Sequence, residues 1–108
     1  MTNTIAILGD LHYEVEDDLL YQHACKQIKK HDPQTIISLG DLGGYSHPGT
    51  RQSFDEGYHV LNSYGVPFYA ITGNHDMEAD EFETDQDALD AWNAVFNQPF
   101  SQCPLFPA

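Results

Sequence analysis

Basic side chains are scarce: Lys26, Lys29, Lys30 and Arg51 stand against 17 Asp and Glu in 108 residues, and none follows position 51. A net charge of -13 repels phosphate backbones and anionic lipid surfaces, which excludes nucleic-acid binding by surface charge and argues against a membrane partner. The same acidity attracts divalent cations, although a solvated surface is the simpler role for most of these acids. Cysteine is almost as rare. Cys25 and Cys103 lie far apart with no C-x-x-C spacing, so there is no disulfide framework or zinc-thiolate motif, and a reducing compartment fits. The N-terminus MTNTIAILGD has no basic start and only a short apolar stretch. It predicts neither signal peptide nor membrane span, and a cytoplasmic location is expected.

The chain has six Phe, six Tyr and one Trp, enough bulk for a packed core. A chain of this size forms at most one domain and buries roughly two thirds of the surface that its unfolded form exposes. Three apolar runs, TIAIL (4–8), TIISL (35–39) and PFYAIT (67–72), read as strands buried on both faces of a parallel sheet. Between them lie helical patterns. The first runs from Glu16 to His31, with Leu19, Leu20, His23, Ala24 and Ile28 near one face and Lys29 and Lys30 in the last turn, before Asp32-Pro33 stops it. The second, Arg51 to Tyr64, carries Phe54, Tyr58 and Leu61 and ends at Gly65. The third, Asp85 to Phe96, carries Leu89, Trp92 and Phe96, and Thr84-x-x-Asp87 resembles a capping box. The predicted order is β-α-β-α-β-α with right-handed crossovers and one mostly parallel sheet, a fold class that binds ligands beyond the carboxyl ends of its strands.

Those ends read Gly9-Asp10-Leu11-His12, Gly40-Asp41-Leu42-Gly43-Gly44 and Gly73-Asn74-His75-Asp76. Each strand runs into a glycine, which lets the backbone turn, and then into an oxygen-bearing side chain. Asp10 and His12 are two apart, so in an extended strand end both side chains share one side. With Asp41 from the neighbouring strand they offer a carboxylate and imidazole mixture that suits manganese, iron, zinc or cobalt better than calcium. A carboxylate can bridge two metals about 4 Å apart, and Asp41 is placed to do so. Asn74 would add a neutral oxygen from the third strand. Taken singly, an Asp after a strand is most often a helix cap or turn former; the co-occurrence of three such ends in one sheet carries the metal reading.

The series GDLH, GDLGG and GNHD resembles the start of the calcineurin-like metallophosphoesterase family, whose pattern runs D-x-H, G-D-x-x-D, G-N-H-D/E, then a His and a G-H-x-H. The resemblance covers residues 4–76. It implies a sandwich of two sheets flanked by helices, of which this chain would hold a part, and hydrolysis of a phosphomonoester or phosphodiester by a hydroxide activated on two divalent metals. It also implies roles: Asp10 and His12 bind the first metal, Asp41 bridges, and Asn74 binds the second. His75 contacts the substrate phosphate or protonates the leaving oxygen, while Asp76 hydrogen-bonds His75 and fixes its tautomer.

The pattern breaks at two places. Gly44 stands where the family often has an acid or Asn, so support for that loop is missing or supplied otherwise. No histidine follows His75, so the later family ligands are absent, leaving three protein ligands for the first metal and Asp41 and Asn74 for the second. Of the other histidines, His23 reads as an interior or boundary helix residue, His31 as a helix terminus, and His59 as mid-helix. His47 alone lies near enough in sequence to line the pocket, against a plain turn role beside Pro48. The tail SQCPLFPA closes without a recognisable element. Residues 1–108 are therefore expected to be the N-terminal portion of one truncated phosphoesterase domain, the activity belonging to the full-length parent, with an uncovered sheet face that predicts self-association. The alternative in this fold is a degenerate, non-catalytic metal-binding or protein-interaction module. A signalling receiver domain also places acids at strand ends, but it predicts acidic neighbours where Asp10-x-His12 stands and a late Lys that is missing here.

Overall fold

The computed structural model describes residues 3–96, so Cys103 and the tail 101–108 lie outside the described residues. Strands β1 (Ile5–Leu8), β2 (Thr35–Ser38) and β3 (Phe68–Ala70) alternate with helices α1 (Asp18–Lys29), α2 (Arg51–Asn62) and α3 (Asp85–Phe96). Short 3-10 turns occupy Val15–Asp17 and His75–Met77. The strands pair in parallel in the order β1-β2-β3, with Ile7 beside Ile37 and Ile37 beside Tyr69. The expected alternation is therefore present, with each strand slightly shorter than its apolar run.

Burial of the sheet on both faces is not observed. Two successive right-handed crossovers that advance in one direction put their helices on the same side of a sheet. On that side Ile36 and Phe68 are buried, and Ala6, Leu8 and Ala70 pack against the core. The opposite side is open: Ile7 is 63 % exposed, and Ile5, Leu39 and Ile71 are exposed as well.

The core lies between the covered face and the pair α2 and α3. Phe54, Leu61, Trp92 and Phe96 meet Ile36, Leu42 and Phe68 there, and Phe54 stands edge-on to Trp92 at 5.2 Å. Each large side chain buried in this way contributes about 1.5–3 kcal/mol. Thr50 Oγ1 accepts the Ser53 N–H at 3.1 Å and caps α2; Thr84 Oγ1 does the same for Asp87 at 3.1 Å before α3, as the Thr84-x-x-Asp87 spacing predicts.

Two helix faces differ from expectation. In α1 the inward residues are Asp18, Tyr21, Cys25 and Ile28, all partly buried, while Leu19 (80 %) and Leu20 (66 %) are exposed and so are His23 and Ala24. The spacing of the observed set is equally helical, and it turns the polar tips of Asp18 and Tyr21 toward partners on the chain after β1. In α3, Ala88 and Ala91 turn inward with Trp92 and Phe96, and Leu89 is exposed. Small side chains at that contact let α3 approach its neighbours closely.

Tyr13 and Tyr64 are 5 % and 4 % exposed. Burial pushes both phenols up to about 12, helped at Tyr13 by its 2.6 Å hydrogen bond to Asp18 and by that residue's charge. A folded pKa above the unfolded value means stability that is full below pH 10.0 and is lost as pH rises through about 12. Alkaline titration should therefore unfold the protein over that interval, with tyrosinate absorbance appearing together with loss of helical dichroism. Ionisation of all tyrosines with helicity intact would contradict this.

Candidate metal centre

All three strand ends open at the carboxyl edge of the sheet, two through left-handed backbone and the third without it. After β1 the backbone enters the left-handed region at Asp10 (φ 47°) and again at His12 (φ 43°). These residues therefore converge through a left-handed turn, where an extended strand end was expected. After β2, Gly40 (φ 92°) and Asp41 (φ 52°) do the same. At the non-glycine residues Asp10, His12 and Asp41 such positions cost of order 1–3 kcal/mol each and persist only where surrounding contacts enforce them. Gly73 does not turn in this way. It is needed for space, because a Cβ there would collide with the Asp41 carboxylate and backbone.

The turned residues bring three ligand atoms together. Asp10, His12 and Asp41 each offer one, and all three lie within 4.8 Å of one another. Asp10 is exposed, His12 half-buried and Asp41 buried. His12 Nδ1 lies 3.1 Å from the Gly43 carbonyl. A carbonyl can only accept, so Nδ1 is the donor, which leaves Nε2 as the ring atom for a cation, the arrangement of a metal-ligating imidazole. Asp41 Oδ1 accepts the His75 N–H at 2.8 Å, while its Oδ2 accepts no hydrogen bond among the described residues. One imidazole and two carboxylates fit a borderline divalent cation.

Other residues hold the ligand loops. Tyr21 of α1 places its hydroxyl 2.9 Å and 2.8 Å from the carbonyls of Leu11 and His12. The chain after β1 runs beside the chain after β2, joined by His12 N–H to Asp41 O (2.9 Å), Tyr13 N–H to Leu42 O (2.7 Å) and Gly44 N–H to Tyr13 O (2.8 Å). Glu14 fills the space beside Gly44 that a side chain there would take, and accepts from the Ser46 backbone (3.1 Å) and hydroxyl (2.9 Å). Those bonds hold the Glu14 carboxyl below its ordinary value. The support expected from an acid at position 44 comes instead from Glu14.

Asp76 does not hydrogen-bond His75. It is fully buried and accepts three backbone N–H groups, from Asp41 (2.7 Å), Leu42 (3.1 Å) and Gly73 (2.8 Å). Burial raises its carboxyl above the ordinary range against the lowering effect of those three bonds. Asp76 is thus the clamp between the second and third strand ends, and geometry explains the substitution: its side chain turns into the protein while His75 faces outward. The partner of His75 is Glu78, with Oε2 2.9 Å from Nδ1. That hydrogen bond, with the charges of Glu78, Asp41 and Asp10, raises the imidazole above 6.5 against the opposing effect of burial.

Asn74 is exposed beside His75, its amide 3.5 Å from Glu78. His47 is committed elsewhere, with Nε2 2.6 Å from Glu56 and Nδ1 2.7 Å from Ser46 Oγ. His23, His31 and His59 are exposed, and none joins the cluster among the described residues. The ring that does reach the site is Tyr45, stacked on His12 with centroids 4.7 Å apart and planes at 14°. Sequence reasoning passed over Tyr45, Tyr21 and Glu14, whose contacts span 9 to 33 residues of chain and leave no local signature. Among the acids that follow His75, Glu78 borders the site, while Asp85 and Asp87 lie in the first turn of α3.

No helix among the described residues is long and apolar enough to cross a membrane. No curated protein matches the sequence. The model of the calcineurin-like phosphoesterase family, however, matches residues 3–106. With two neighbouring strand ends that bring Asp10, His12 and Asp41 to one point, the chain belongs to the calcineurin-like phosphoesterases, a family of hydrolases.

Proposed function

We propose that this chain carries part of a metal-dependent centre for hydrolysis of a phosphomonoester or phosphodiester. The observation that supports it most is the convergence of Asp10, His12 and Asp41 within 4.8 Å on three left-handed backbone positions. In this reading Asp10, His12 and Asp41 hold a first divalent ion, and Asp41 and Asn74 hold a second; manganese, iron, zinc and cobalt all suit the donors. Divalent ions bound there supply Lewis acidity and lower the pKa of water to about 7. His75, held by Glu78 through Nδ1, keeps Nε2 to bind a phosphate oxygen or to give a proton to the leaving oxygen. Asp76 acts on the reaction only by fixing the loops that carry Asp41 and Gly73.

Calorimetry with manganese tests the centre, and turnover of p-nitrophenyl phosphate and bis-p-nitrophenyl phosphate tests the chemistry. One ion is expected to bind tightly and a second weakly, because the second has only Asp41 and Asn74 from this chain. The same scarcity favours a second reading, a metal-binding module without turnover. Manganese binding with no hydrolysis of either ester, by this chain or by a longer polypeptide that contains it, selects that reading. No manganese binding sinks both.

The reading of residues 1–108 as the N-terminal portion of a larger phosphoesterase domain is supported by the open sheet face of Ile5, Ile7, Leu39 and Ile71. Such a face favours self-association. Ile7→Lys is expected to shift the sedimentation profile toward monomer, and a concentration-independent monomer in the unsubstituted chain would contradict self-association.

A further inference from the structure

Tyr45 is 76 % exposed, yet its ring is not free to wander. One face lies on His12, and the His75 ring stands across it at a centroid distance of 6.4 Å and an interplanar angle of 74°. The chain on both sides is pinned. Gly44 N–H bonds to Tyr13 O, Ser46 is held by Glu14, and His47 is held by Glu56. A large, fixed and mostly uncovered aromatic ring therefore stands beside the ligand cluster, and a group that stacks on it incurs little ordering cost.

The surroundings narrow what that group is. The carboxylates nearby are all on the ligand side or the flanking chain: Asp10 and Asp41 in the cluster, Glu78 on His75 and Glu14 on the Ser46 backbone. Arg51, the sole base beyond residue 30, is occupied over the Phe82 ring at 5.1 Å. Beyond His75, already assigned to the phosphate, no Lys or Arg stands among these residues to meet a second anionic group on the ester, whereas a neutral planar ring finds a π face.

We propose that Tyr45 is a specificity-determining platform that selects phosphoesters whose organic part carries a planar aromatic ring, aryl or nucleobase, over aliphatic ones. The inference rests on the reading of Asp10, His12 and Asp41 as a metal-dependent phosphoester centre. The test is a nuclear magnetic resonance titration of the zinc-loaded chain with inorganic phosphate, glycerol 2-phosphate, phenyl phosphate and adenosine monophosphate. Phenyl phosphate is expected to bind roughly 3- to 10-fold tighter than glycerol 2-phosphate, the range of one aromatic stacking contact, with an upfield shift of the Tyr45 ring protons. Tyr45→Phe keeps that ratio and Tyr45→Ala brings it to unity. A wild-type ratio of one, or a ratio that survives in Tyr45→Ala, overturns the platform while leaving the metal centre standing. Failure of inorganic phosphate to bind the zinc-loaded chain removes the underlying reading and the platform with it. Tighter binding of adenosine monophosphate than of phenyl phosphate assigns the platform to a nucleobase; the reverse order assigns it to an aryl group.

Discussion

Asp76→Ala is expected to cost the fold on the order of 3–5 kcal/mol, the scale for stranding buried partners of a charged group. The carboxylate is fully buried and receives the backbone N–H groups of Asp41, Leu42 and Gly73 at 2.7, 3.1 and 2.8 Å. Alanine leaves all three donors without their acceptor, and the bonds from Asp41 and Leu42 are buried away from solvent. Domains of this size hold only about 5–15 kcal/mol in total, so the urea midpoint should fall by a large fraction. Asp76→Asn keeps the volume and one acceptor oxygen but turns an amide N–H₂ toward donors, and its cost should be intermediate. A loss in Asp76→Ala within the ordinary surface range of about 0.5 kcal/mol would show that the three bonds do not hold the loops.

Asp41→Asn is expected to separate the centre from the fold. The amide oxygen can still accept the His75 N–H that Oδ1 receives at 2.8 Å, so thermal stability should change little. The other carboxylate oxygen becomes an N–H₂ group, which cannot ligate a cation. Loss of a hydrogen-bonding partner of a ligand weakens metal binding 10- to 100-fold, so loss of the ligand itself should weaken manganese binding by at least about 100-fold. Calorimetry and a melting curve on the same sample check both halves. Unchanged manganese affinity in a folded Asp41→Asn protein would place the cation elsewhere.

Much of the site was legible because its signals are local. A glycine followed by Asp or Asn after an apolar run marks a strand end by residue chemistry alone, and parallel topology brings such ends to one edge. Asp10, His12 and Asp41 follow from that rule, and the structure brings them together. Asp76 defeated it. The GNHD stretch makes His75 the natural partner by adjacency, but the three donors that Asp76 serves include two that lie 34 and 35 residues away. Nothing within a few residues encodes such a bond.

The order of strands and helices, the Thr84 cap of α3 and the identity of the three converging ligands were thus determined by the sequence by itself, since each depends on side chains within a turn or two of one another. Tertiary structure decided the rest: which face of the sheet is covered, which stripe of α1 turns inward, and that Glu14 replaces a side chain at position 44. It also decided that Tyr45, and not His47, stands over the ligands. The physical reason is common to these cases. Periodicity specifies that a helix has an apolar side and a strand has two faces, but the direction of chain crossover selects which face meets a neighbour, and unsatisfied backbone groups at the sheet edge select which polar side chains turn in to meet them.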